Sequence, residues 1–144
     1  ADGSEDADLV GDSSLYTDPL QAQKFVKETG VEALAAAFGT AHGVYREKPD
    51  LDFDRLKNIY RQVDVPLVMH GGSGLSPADF EKAIAHGIRK VNYYTGMAAH
   101  AGAKIREEIN KTGPEENIFY HNLMMTAIAA IKENVRESMQ LFSG

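Results

Sequence analysis

Val65-Pro66-Leu67-Val68-Met69-His70-Gly71-Gly72-Ser73-Gly74 is the stretch whose reading decides the fold. A short apolar run that ends in a polar side chain and glycines reads as a buried parallel strand delivering His70 at its C-terminal end. The same setting recurs 28 positions upstream, in Ala35-Ala36-Ala37-Phe38-Gly39-Thr40-Ala41-His42-Gly43. Two imidazoles delivered by neighbouring strands can converge on one metal ion. Gly71-Gly72-Ser73-Gly74 offers backbone N–H groups to an anion in the same place. A divalent cation beside a phosphate is the first chemistry these residues suggest.

Working outward, Asp18-Pro19 is a helix start, with aspartate as N-cap and proline in the first turn, and Gly30 is its stop. Val31 to Phe38 then reads as a strand. Asp52 caps a second helix whose Leu56, Ile59, Tyr60 and Val63 share one face, and Val65 to Met69 is the second strand. Ser76-Pro77-Ala78-Asp79 opens a third helix, carrying Phe80, Ala83 and Ile84 to a stop at Gly87. Ile88 to Tyr93 is the third strand. Helices near Met97–Lys111 and Ile118–Phe142 follow, divided by Thr112-Gly113-Pro114.

Strands alternating with helices imply parallel pairing through right-handed crossovers. Three parallel strands leave both sheet edges open, so either a small open sheet or the last three strands of a (β/α)8 barrel is implied. Barrels carry their chemistry at strand C-termini, with a phosphate site after the last two strands. Both histidines, the glycine run and Asn92-Tyr93-Tyr94-Thr95 fall at such ends, which favours the barrel. Residues 1–144 then form the C-terminal portion of a single barrel domain. Residues 1–16 read as loop, and the acidic start at Ala1–Asp12, without an initiator Met, reads as the middle of a larger protein.

Composition narrows the partners. The formal charge of −6 argues against a nucleic acid or an anionic membrane surface. No apolar run approaches the ~18 residues of a membrane span, and no signal-like start is present, so a cytoplasmic location is expected. The absence of cysteine leaves only nitrogen and oxygen to hold a metal. An anionic substrate would need a local positive site.

A lone histidine at a strand end is most often a hydrogen-bonded structural residue. Two in matching settings are explained together by one site, and zinc suits imidazole, although a catalytic zinc wants a third protein ligand. The glycine run is either a plain βα turn or a phosphate cradle helped by the helix that follows it. Asn92 can donate to a ketose oxygen and Thr95 to a phosphate, or both can belong to a turn with local bonds. His86, His100 and His121 read as surface or packing residues. Met124, Met125, Ile128 and Ile131 keep helical spacing and read as core. Glu5-Asp6-Ala7-Asp8 reads as a solvated loop.

Gly39-Thr40-Ala41-His42-Gly43, Val65 to Gly74 and Lys90-Val91-Asn92 together closely resemble the class II, zinc-dependent ketose-bisphosphate aldolases. Gly3-Ser4-Glu5-Asp6 and Thr17-Asp18-Pro19 resemble that family's acidic loop and its next helix start. The resemblance implies that His42 and His70 are two of three zinc ligands. It implies that Gly43, Gly71 and Ser73 contact the phosphate of dihydroxyacetone phosphate, beside Gly72 of the same run. Asn92 would touch the reacting oxygens and Thr95 would be a further phosphate donor. Zinc in that family polarises the substrate ketone, and the reaction is reversible aldol cleavage of a ketose 1,6-bisphosphate.

The third ligand and an acid/base aspartate would belong to an N-terminal half of the barrel outside this chain, and a homo-oligomer is expected. Tyr94 stands where the fructose-bisphosphate branch usually carries an acidic residue, which leaves the sugar open. A non-catalytic sugar-phosphate-binding barrel and another metal-dependent sugar-phosphate enzyme are the alternatives.

Overall fold

A computed structural model describes residues 13–43, 45 and 48–143. The segments read as an acidic loop, Gly3-Ser4-Glu5-Asp6 and Glu5-Asp6-Ala7-Asp8, lie outside the described residues. The chain divides into two compact units, the first ending at Tyr93 and the second beginning at Tyr94.

In the first unit a 3-10 turn, Ser13–Leu15, precedes α1 (Pro19–Thr29), β1 (Leu34–Ala35), α2 (Phe53–Gln62), β2 (Leu67–Met69), α3 (Pro77–Ala85) and β3 (Ile88–Val91). The strands pair in parallel in the order β1-β2-β3. The helix starts follow the sequence signals. Asp18 accepts from the N–H groups of Leu20 and Gln21 at 3.0 and 2.9 Å, and Asp52 accepts from Arg55 N–H at 2.8 Å. Burial tends to push the Asp52 carboxyl up, but its bonds with the Arg55 N–H and guanidinium outweigh this and hold it below the usual carboxylate range.

The core gathers around the central strand. Leu67, Val68 and Met69 are all buried, and Phe38, Leu56, Ile59 and Ile88 pack there without solvent contact. Removing each such side chain from water contributes about 1.5–3 kcal/mol. Of the apolar face expected on α2, Leu56, Ile59 and Val63 are buried. Tyr60 is instead partly exposed under the Arg89 guanidinium, 5.7 Å from its ring centre.

Two strands are shorter than their sequence suggests. The run Val31 to Phe38 makes a ladder only at Leu34–Ala35, prolonged by Ala36 N–H donating to Val68 O at 3.2 Å. It is limited by its neighbour, since β2 offers only three residues to pair with. The third strand ends at Val91, not Tyr93, although Asn92 N–H still donates to Met69 O at 2.8 Å. Its register also shifts: Leu67 pairs with Ile88 but Val68 pairs with Lys90, leaving Arg89 as the extra residue of a bulge. A bulge re-aims everything downstream of it. Met69 then lies beside Val91 at the end of the ladder, and the residues that follow are His70 and Asn92.

The second unit is α4 (Thr95–Lys111) and α5 (Tyr120–Ser143). Thr95 is therefore the first residue of a helix and not the end of a strand. The helices meet through Ala101, Ala127 and Ala130, with Ile105 and Ile131 packed against them. Small side chains let two helices approach closely, and here they carry the contact. Ile131 is near that core as expected, but Met124, Met125 and Ile128 are exposed, because α5 turns its alanine face, not its methionine face, to α4.

Candidate active site

His42, His70 and Asn92 come together. His70 and Asn92 directly follow β2 and β3, whereas His42 lies not at a strand end as expected but in the loop seven residues past β1. His42 Nε2 and His70 Nδ1 lie 3.3 Å apart, the rings meeting edge to face at 81° with centres 5.4 Å apart. His70 is half-buried and His42 exposed. Asn92 Nδ2 is 3.0 Å from His70 Nε2, so the bulge at Arg89 sets this contact by placing Asn92 opposite His70.

Donor chemistry gives the cluster a direction. Lys90, on the same side of β3 as Asn92, donates its ammonium to Asn92 Oδ1. An ammonium only donates, so the Asn92 amide must turn its Nδ2 towards His70. Asn92 Nδ2 is then a donor within reach of both His70 ring nitrogens, 3.3 Å from Nδ1 and 3.0 Å from Nε2.

Such a pair fits a divalent cation. Two nitrogens each about 2.0–2.1 Å from a tetrahedral zinc are about 3.3 Å from one another. The His42–His70 separation is 3.3 Å. The fit is to two ligands of a set, since among the described residues no cluster of three His, Cys, Asp or Glu side chains comes together.

The glycine run is packed as tightly as the sequence allows. Gly71, Gly72 and Ser73 are all buried. Gly71 has a φ of +68°, and a Cβ there would stand 2.2 Å from Ala41 O. The two histidine-bearing loops can approach only because residue 71 has no side chain. Gly43 adopts a φ of +98° directly after His42.

Helix α3 behind the run is closed by its own side chains. The Ser76 hydroxyl accepts from Asp79 N–H, and the Asp79 carboxylate accepts from Ser76 N–H and from the hydroxyl. That hydroxyl bond is the chief reason the Asp79 carboxyl lies below the usual range. With these N–H groups engaged, any anion at the run would rely on the loop's own N–H groups and the Ser73 hydroxyl. Thr95 opens α4, whose N-terminus has no side-chain cap bond.

Two residues of the cluster went unassigned by sequence reading. Lys90 had a signal, since residues two apart on a strand share a face. Tyr45 had none. Its hydroxyl accepts from Ala41 N–H at 2.9 Å and donates to Gly71 O at 2.7 Å. Burial pushes its pKa up, against the smaller opposing effect of the Ala41 N–H. His86 is structural: its Nδ1 lies 2.6 Å from Lys82 O at the end of α3. His100 Nε2 is 3.9 Å from Glu133 in the helical unit. His121 stacks on Phe119.

The class II fructose-bisphosphate aldolase family model matches residues 2–144. The chain belongs to this family. It is 41% identical over 127 residues to the Escherichia coli K12 protein YdjI, named as uncharacterized, with 88% of this chain and 43% of YdjI covered. The crystal structure of the YdjI aldolase superposes with a TM-score of 0.77 at 39% identity, covering 88% of this chain and 46% of that one. The fructose-bisphosphate aldolase of Campylobacter jejuni gives a TM-score of 0.73 at 22% identity, covering 93% and 47%, a likeness of fold. The chain spans under half the length of these relatives, and its three parallel strands are part of an aldolase (β/α)8 barrel.

Proposed function

We propose that this chain supplies the His42, His70 and Asn92 strand ends of a zinc-dependent aldolase that reversibly cleaves a ketose 1,6-bisphosphate into dihydroxyacetone phosphate and an aldehyde, glyceraldehyde 3-phosphate for the commonest ketoses. The observation that carries this reading is the 3.3 Å separation of the imidazole nitrogens, with Asn92 beside them and the glycine run next to them. His42 and His70 would hold the metal, and the rest of its ligand set and an acid/base aspartate would come from the remainder of the barrel. Zinc, when bound, supplies Lewis acidity that makes the C–H beside a ketone easier to deprotonate.

The chain's own residues bind and orient. Asn92, its amide oxygen held by Lys90, keeps Nδ2 as a donor to a substrate oxygen. Loop N–H groups of Gly43, Gly71 and Gly72, with the Ser73 hydroxyl, receive one phosphate. Thr95, opening a helix with no side-chain cap, is a further phosphate donor. Phosphorylated sugars do not cross membranes unaided, which supports a cytoplasmic setting. Among the described residues no helix is long and apolar enough to span a membrane. Assembly with further copies of the protein is part of this reading, supported by the exposed Met125, Ile128, Val135 and Met139 of α5.

Tyr94, at the position where the fructose-bisphosphate branch usually carries an acidic residue, is 70% exposed, and the reading is not tied to one ketose. Proton exchange separates an aldolase from a binder whatever the sugar. In heavy water the full-length zinc-loaded protein should exchange an α-proton of dihydroxyacetone phosphate without any aldehyde, as followed by NMR. His70→Ala should abolish the exchange. Binding of dihydroxyacetone phosphate with no exchange above a metal-free control would make the protein a sugar-phosphate binder instead.

A further inference from the structure

His42 and His70 arrive by different routes. His70 directly follows β2, so the ladder fixes its backbone. His42 lies seven residues past the end of β1, beyond the last ladder bond at Ala36, so pairing within the sheet does not set its position. Something else has to hold the exposed loop against the buried one.

Tyr45 is placed to do so. Its hydroxyl takes the N–H of Ala41, the residue before His42, and gives its proton to the carbonyl of Gly71, the residue after His70. One oxygen thus joins the two backbones immediately beside both imidazoles. Gly71 removes the steric barrier to that approach, since a Cβ would sit 2.2 Å from Ala41 O. The ring lies close against Gly74, where a Cβ would stand 3.1 Å from Tyr45 Cδ2.

We propose that Tyr45 is a positioning residue that clasps the His42 loop to the Gly71 loop and thereby keeps the two imidazole nitrogens at ligand spacing. The proposal rests on reading the pair as metal ligands. Tyr45 touches neither metal nor substrate; it acts through the backbones of Ala41 and Gly71. A hydroxyl that accepts from one loop and donates to the other cannot be replaced by a ring alone, so Tyr45→Phe keeps the packing and removes only the clasp.

The test measures zinc affinity and amide exchange in the full-length protein. Zinc is titrated against a chromophoric chelator for wild type, Tyr45→Phe, His42→Ala and His70→Ala. Supports around metal ligands typically change affinity by about 10–100-fold, so Tyr45→Phe should bind zinc roughly 10-fold more weakly. In the metal-free protein the Ala41 amide should exchange with solvent faster in Tyr45→Phe than in wild type, with the α2 amides of Leu56 and Ile59 unchanged. Wild-type zinc affinity in Tyr45→Phe would overturn the proposal. An Ala41 amide that is already unprotected in wild type would overturn it too, even if the variant failed to fold. If both histidine variants keep wild-type zinc affinity, the metal reading is what fails. Ala41 exchange alone then decides the clasp: faster exchange in the variant sustains it, and equal exchange overturns it.

Discussion

The strand ends of the first unit and the helix pair α4–α5 bury opposite kinds of side chain. Around β2 the fully buried residues are large: Phe38, Leu56, Ile59, Leu67, Met69 and Ile88. Between α4 and α5 the buried residues are three alanines, while Met124, Met125, Ile128 and Met139 face outward. Glycines divide the same way. Gly71 has no room for a side chain, whereas a Cβ on Gly102 of α4 would meet nothing within 4 Å. The first unit thus fixes its site from within, through a filled core and loops in contact. The helix pair carries apolar surface that its own packing does not use.

Substitution of matched residues would break or sharpen this contrast. The largest effect is expected in the core. Met69→Ala should destabilise the protein by about 2–5 kcal/mol through lost burial and a cavity. Met125→Ala, at 63% exposed, should stay within about 0.5 kcal/mol if that face is open to solvent. Chemical denaturation measures both. A Met125→Ala loss approaching that of Met69→Ala would mean the α5 face is covered in the assembled protein.

Next come the glycines. Gly71→Ala forces a Cβ onto Ala41 O in a left-handed conformation, and about 1–3 kcal/mol of strain should appear together with weakened zinc binding. Gly102→Ala should go the other way, raising stability by up to about 1 kcal/mol, since alanine is the better helix former and has open space. Equal signs for the two in thermal unfolding would remove the distinction between the units.

A third effect is confined to binding. Ser73→Ala should weaken dihydroxyacetone phosphate binding by about 1–3 kcal/mol, the scale of a hydrogen bond to a charged group, and leave zinc content unchanged. Calorimetry reads this directly, and an unaltered affinity would make the glycine run a turn and nothing more.

How far the sequence carries the reader also differs between the two regions. The β2 apolar run with its His70-Gly71 end and the caps at Asp18, Asp52 and Ser76 are local patterns, and each takes the expected place; His42, expected at a strand end, lies seven residues past β1 instead. The bulge at Arg89 is not local, because it exists only relative to β2, yet it decides that Asn92 faces His70. Tyr45 bonds a carbonyl 26 residues away, which no spacing rule reaches. On α5 the spacing of Met124, Met125 and Ile128 marks an apolar face correctly but not its partner. Alanines elsewhere on the same helix make the contact with α4. Periodicity tells that a face is apolar; only packing tells which of two faces the neighbour takes.

The central claim is that His42 and His70 hold one metal ion between them. Crystals of the full-length protein soaked in zinc, with anomalous differences collected at the zinc edge, test it most directly. The account predicts one strong peak about 2.0–2.1 Å from both His42 Nε2 and His70 Nδ1. A peak bound by only one of the two rings, or zinc lodged elsewhere with the imidazoles still in contact, would contradict it.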